Sequence, residues 1–200
     1  MRIILIGGSG TIGREVAKLL AGEHEVLTAS RSGGMLRVDI AEPASVETLF
    51  REAGAVDAVV CAAGSARFGP LDDLEYDDFL FSFRNKLMGQ VNLVRIGRNF
   101  INDNGSFTLT SGVLAREPMP GSSAISLVNA GLEGFVRAAQ LELERGVRVN
   151  IVSPVWVQET LLAMGNNLLE GMPARLVARA YLASVTGTMK GTVLEVGDYV

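Results

Sequence analysis

The sequence predicts an α/β fold in which a parallel sheet carries helices on both faces. Three observations carry that expectation. The chain opens on Met1-Arg-Ile-Ile-Leu-Ile6, an apolar, β-branched run of the kind a strand buried on both faces requires. Gly7-Gly8-Ser9-Gly10-Thr11-Ile12-Gly13 follows at once, and its glycines at 8, 10 and 13 satisfy G-x-G-x-x-G before a helical pattern at Arg14–Leu20. Beyond it, strand candidates alternate with helical patterns to the end of the chain, which implies right-handed crossovers and a parallel sheet.

The elements fall in order. Strands are expected at Arg2–Ile6, Glu25–Ala29, Leu36–Val38, Ala58–Ala62, Ser106–Thr110, Arg148–Val152 and Thr192–Val196. Helices are expected near 12–21, 43–53, 74–101, 123–145 and 173–186. The stretches 74–101 and 123–145 carry more apolar surface than one sheet face buries. They read either as the faces of a homodimer or homotetramer or as long core helices.

Composition bounds the function. At 200 residues and 48% hydrophobic content, with no linker or charge run, residues 1–200 read as a single domain. A net charge of −4 argues against nucleic acid as a partner. One cysteine allows no internal disulfide, and one histidine makes a metal cage or a Ser-His-Asp triad implausible, so no metal is expected. No apolar run reaches the about 18–20 residues of a membrane span, and the chain starts on a core strand. A cytoplasmic protein with no membrane partner is the expectation.

Glycine in the first turn lets backbone N–H groups approach a diphosphate at the positive end of the following helix. Gly7, Ser9, Gly10, Thr11, Ile12 and Gly13 are therefore candidate cofactor contacts. The second strand ends Thr28-Ala-Ser-Arg31-Ser32, where NAD sites place an acid for the ribose. Hydroxyls and a guanidinium stand there instead. Arg31, with Ser32 beside it, matches a 2′-phosphate and favours NADP(H) over NAD(H); a solvated loop arginine is the other reading. Asp39 and Ile40 follow the third strand, where the carboxylate either meets the adenine amino group or serves as an ordinary helix-start residue.

These pieces resemble the short-chain dehydrogenase/reductase family nearly end to end. The carriers are Gly7–Gly13, Asp39-Ile40, Cys61-Ala-Ala-Gly64, Thr108-Leu-Thr-Ser111, Leu132-Glu-Gly-Phe135, Arg148-Val-Asn-Ile-Val-Ser-Pro154 and Gly191-Thr-Val-Leu-Glu-Val196. The resemblance implies a Rossmann-type three-layer sandwich with strand order 3-2-1-4-5-6-7. It further implies a nicotinamide cofactor across the C-terminal edge, with Ala62, Ala63, Gly64 and Pro154 against it, and Thr160 meeting its phosphate or carboxamide region. Frequent assembly through the two long helices is implied as well.

The resemblance breaks at the chemical end. Alignment on Leu132–Phe135 puts Ile125 where the family has its proton-transferring tyrosine and Asn129 where it has the lysine four residues on. Counted back from Gly89, Lys86 stands where most members carry an asparagine. That exchange resembles polyketide ketoreductase domains and leaves Ser111, Lys86 and Asn129 as the candidate catalytic groups. Asn85 is the competing equivalent, one residue out of register. Ser122, Ser123 and Ser126 read as a loop and helix cap or as holders of a water. Trp156 reads as a pocket wall or as core, and the substrate-covering segment near 155–173 is short. Three functions are consistent with these residues: a small-carbonyl or small-alcohol oxidoreductase with an altered proton donor, an inactive NADP(H) sensor, and a scaffold with an empty cleft.

Overall fold

The computed structural model describes residues 1–165 and 171–200. Its sheet has seven strands in the order β3-β2-β1-β4-β5-β6-β7, all paired in parallel. The strands are β1 Arg2–Ile6, β2 Glu25–Ser30, β3 Leu36–Arg37, β4 Val56–Cys61, β5 Ile101–Thr110, β6 Arg148–Ser153 and β7 Val193–Glu195. Five helices, α1 Thr11–Ala21, α2 Pro43–Ala53, α4 Gly89–Gly97, α5 Ser123–Gln140 and α7 Ala174–Thr186, supply most of the two outer layers. Two shorter ones, α3 Tyr76–Ser82 and α6 Gln158–Ala163, lie at the C-terminal edge.

Strand β1 shows why the sheet sits in the middle. Ile4 and Ile6 pack into a core shared with α2, α4 and α5, whereas Ile3 and Leu5 pack into a second core with α1 and α7. Successive side chains of a strand point to opposite faces, so an unbroken apolar run is what two buried faces demand. Tyr181, Phe50 and Phe107 are the largest wholly buried side chains. Among the described residues no helix is long and apolar enough to cross a membrane.

Three expected elements change shape. The helix expected over 74–101 starts at Tyr76, passes through a π-turn at Phe83–Met88, and ends at Gly97. Its last residue packs tightly on two elements; a Cβ on Gly97 would stand 2.4 Å from the Phe50 ring on α2 and 2.9 Å from the Phe107 ring on β5. Residues 98–100 turn the chain, and Ile101 already belongs to β5. The helix expected over 123–145 ends at Gln140, whose side chain closes the corner by accepting from Val149 N at 2.8 Å and donating to the Val147 carbonyl at 3.2 Å. Strand β5 begins five residues before Ser106, because its pairing with β4 jumps from Val56–Ile101 to Ala58–Ser106 and accommodates the polar Asn102–Gly105 as a bulge.

Candidate active site

The diphosphate end is built from backbone. Gly13 presses α1 onto the turn, and a Cβ there would lie 2.0 Å from the Gly7 carbonyl oxygen. Gly10 differs, since a Cβ on it would meet only that oxygen, at 3.4 Å. Gly10 caps α1 without a side-chain bond, and no acidic residue stands in the first turn. The amides opening α1, at Thr11, Ile12 and Gly13, have no partner within the helix, and the positive end of the helix dipole stands behind them. That arrangement fits an anion.

A groove of about 220 Å³ continues from this turn along the ends of β2 and β3. Gly7, Ser9, Arg31 and Ser32 border it, as do Asp39, Ile40, Ala63 and Gly64. The loop after β2 is pre-formed: Ser30 Oγ accepts from Gly33 N at 2.9 Å and donates to the Gly33 carbonyl at 2.5 Å. Arg37 Nη1 donates to the Arg31 carbonyl at 3.1 Å, which ties a second guanidinium to the same loop. Asp39 Oδ1 accepts from Ala41 N at 3.0 Å, so one oxygen starts the helical approach while the residue lines the groove.

At the other end the groups come from buried side chains. Lys86 lies in the π-turn and reaches under the chain at Gly64, where a Cβ would stand 3.0 Å from Lys86 Cγ. Its Nζ donates to the Ser111 carbonyl at 3.1 Å. Burial pulls this amine down to about 8. Asn85 faces the groove, yet its amide donates to the Phe81 carbonyl of its own helix at 3.0 Å. Lys86, not Asn85, therefore meets Ser111.

Ser111 closes β5. Its N–H donates to the Val152 carbonyl at 2.9 Å, and its hydroxyl donates to Glu133 Oε1 at 3.0 Å. Asn129 is 1% exposed, and its Oδ1 has no partner among the described residues. One turn earlier on α5 is Ile125, half-buried in the helix's opening turns. Ser122 Oγ bonds both backbone groups of Met119 and accepts from Ser126 Oγ at 3.0 Å, so these two serines form the loop and helix start. Ser123 Oγ stays buried and unpaired among the described residues. Beside the strand ends, buried Cys61 donates to the Ala63 carbonyl at 3.4 Å, and burial pushes its thiol up to about 12.

Ala62 continues β4, its N–H donating to the Ile6 carbonyl at 2.9 Å. The Pro154 carbonyl accepts from Val113 N at 2.8 Å, which holds the loop after Ser111. Thr160 is half-buried in the first turn of α6 and does not border the groove. Trp156 is half-buried, and its carbonyl accepts from Met172 N at 2.8 Å while Gln158 N donates back to Met172 at 3.0 Å. These bonds close the base of the covering segment; the part of 155–173 that falls at 166–170 lies outside the described residues.

Sequence reading missed two polar residues next to this cluster. Gln90 is wholly buried on α4, donating to the Thr110 carbonyl at 2.8 Å and accepting from Thr110 N at 2.7 Å. Glu133 lies inside the Leu132–Phe135 motif and is 4% exposed. The available signal was spacing: Gln90 follows Lys86 by four residues, and Glu133 follows Asn129 by four, so each pair shares a helix face.

A backbone anion site, an adenosine-sized groove and a lysine–serine–asparagine cluster on one sheet edge define a dinucleotide-binding α/β protein. A family model described as enoyl-(acyl carrier protein) reductase matches residues 11–194. The 3-oxoacyl-[acyl-carrier-protein] reductase of Rattus norvegicus is 30% identical over 174 residues, covering 76% of this chain and 74% of its own length. Among solved structures, the protein lin1944 from Listeria innocua superposes with a TM-score of 0.93 at 38% identity, covering 98% of both chains. A small-chain dehydrogenase in complex with NADPH superposes with a TM-score of 0.86 at 30% identity, covering 98% of this chain and 95% of that one. The chain belongs to the short-chain dehydrogenase/reductase family.

Proposed function

We propose that this protein is an NADP(H)-dependent oxidoreductase that interconverts a small carbonyl compound and its alcohol, with Lys86 as proton donor in place of the family's tyrosine. Bound nicotinamide cofactor supplies or accepts the hydride. The chain's own residues hold it and handle the proton. Residues 1–200 are taken as one cofactor-binding domain.

The observation that carries this reading is the buried Lys86 ammonium beside Ser111. Reduction needs a proton at the oxygen where negative charge develops, and an acid is most useful when its pKa lies near the working pH. An amine brought down to about 8 is still protonated at neutral pH, and it gives up its proton more readily than an exposed lysine. Asn129 suits the neighbouring role, because its orphaned Oδ1 offers an acceptor for a cofactor hydroxyl. Arg31 and Arg37, with no acid at the end of β2, favour the 2′-phosphate. A relative in this fold solved with NADPH supports the same preference.

Exposed Phe83 and Leu127, on the π-turn and α5, support a homodimer or homotetramer through this face. Titration with NADPH and NADH, then a panel of carbonyls followed by loss of NADPH absorbance, tests the proposal. NADPH is expected to bind more tightly than NADH, and at least one carbonyl to turn over. Lys86→Met is expected to lower kcat by roughly 10²–10⁴-fold while leaving NADPH affinity within a few-fold. The absence of the tyrosine, with Ile125 in its place, favours one second reading, a cofactor-binding sensor. Tight NADPH binding with no turnover of any carbonyl, alcohol or quinone selects it. No binding of either cofactor overturns both.

A further inference from the structure

Glu133 is a buried acid that the chemistry above leaves without a task. It follows Asn129 by four residues on the α5 face turned toward β5. Its Oε1 takes the Ser111 hydroxyl at 3.0 Å. Its Oε2 lies 3.7 Å from Arg137 Nη2, one helical turn on, and Arg137 reaches solvent. These two contacts give both oxygens of a buried carboxyl group a polar partner.

A serine hydroxyl carries a single proton and two lone pairs. With that proton given to Glu133, Ser111 Oγ can only accept from any further group. The backbone of the same residue is fixed as well, its carbonyl by Lys86 and its N–H by Val152. The hydroxyl itself has two acceptors within reach, Glu133 Oε1 on α5 at 3.0 Å and the Val152 carbonyl on β6 at 3.5 Å, and the shorter bond takes its proton.

We propose that Glu133 is a positioning residue that makes Ser111 a hydrogen-bond acceptor, so that the site holds an alcohol in preference to the corresponding ketone. This assignment rests on the reading of the cleft as a carbonyl–alcohol site. An alcohol satisfies both neighbours: its O–H donates to Ser111 Oγ while its oxygen accepts from Lys86 Nζ. A ketone oxygen accepts from Lys86 but meets the lone pairs of Ser111 with no proton between them. Lys86 is then the only donor of the pair to a substrate oxygen. A missing hydrogen bond in a desolvated site weakens binding about tenfold.

Two measurements decide the point. A neutron crystal structure of the NADP⁺-loaded protein reads the deuteron on Ser111 Oγ directly. It is expected on the line to Glu133, and a deuteron aimed into the cleft overturns the assignment. Dissociation constants for cyclohexanol with NADPH bound, and for cyclohexanone with NADP⁺ bound, give the second readout in pairings that do not react. Glu133→Leu removes the nearer acceptor and leaves the serine proton only the 3.5 Å contact to the Val152 carbonyl, so it is expected to weaken cyclohexanol about tenfold while tightening cyclohexanone. General loosening of the site cannot move the two ligands in opposite directions. Glu133→Gln keeps an acceptor oxygen and is expected to restore most of the wild-type selectivity. In a Ser111→Ala background, Glu133→Leu is expected to change neither constant. A shift of both ligands in the same direction overturns the proposal. If neither compound binds the wild type, the carbonyl–alcohol reading fails, and the deuteron position alone decides the role of Glu133.

Discussion

The two ends of the cofactor groove are made of different material. At the diphosphate end, Gly7–Gly13 offers backbone amides, and its essential side chains are hydrogen atoms. At the chemical end, Lys86, Ser111, Asn129 and Glu133 come from the π-turn, β5 and α5, and all four are buried. The first end depends on local geometry fixed by one short stretch of chain. The second depends on elements that meet only after folding. A site of the first kind fails on a single added methyl at Gly13, whereas one of the second kind rests on contacts between separate elements.

The sharpest way to break the contrast is at the turn. Gly13→Ala places a methyl 2.0 Å from a backbone oxygen. It is expected to abolish NADPH binding and to cost about 3 kcal/mol of stability, read by fluorescence titration and by urea unfolding. Lys86→Met should do the reverse to the fold. Removing a buried charge is expected to raise Tm at pH 7 by several degrees, while turnover falls by roughly 10²–10⁴-fold. A Tm that falls together with activity would mean that Lys86 holds the site together rather than straining it.

The pH dependence carries a sign that sharpens the same point. The folded-state pKa of Lys86 lies at about 8, below the ordinary 10.5. Between these values the unfolded chain binds the extra proton, so this residue makes stability rise with pH across that window and contributes its full penalty below it. Under the proposed role of Lys86 as acid, reduction is expected to slow as pH rises through about 8. Stability and rate should therefore diverge with pH in the wild type and lose that opposition in Lys86→Met. The smallest effect is expected at the adenosine end. Arg31→Ala should weaken NADPH about tenfold and leave NADH unchanged; equal losses for both would remove the 2′-phosphate from its role.

How much could be read in advance follows the same division. All seven strands and the glycine turn were legible, because short apolar runs and a G-x-G-x-x-G spacing are properties of contiguous sequence. The spacing from Gly89 located Lys86 for a physical reason: a Cβ on Gly89 would stand 2.7 Å from Ile40 Cγ1, so that glycine anchors the helix register. The break in the expected 74–101 helix was not legible, since a π-turn leaves no mark on apolar periodicity. Gln90 and Glu133 were missed because each is defined by a partner distant in sequence, Thr110 and Ser111. Glu133 lies inside the Leu132–Phe135 motif, which reads as an anchor of the family resemblance and not as a partner of Ser111.

Strand β4 pairs with β5 only as far as Val60–Thr108, so two residues later the neighbour that would complete the ladder is gone. Gln90 stands in for it, with a side-chain amide that mimics one peptide unit of a missing strand. On the β4 side, sheet rigidity is thereby carried past Thr108 to the point where Ser111 begins. Whatever docks above that serine meets a floor already set in place, and its binding need not first order the end of the sheet.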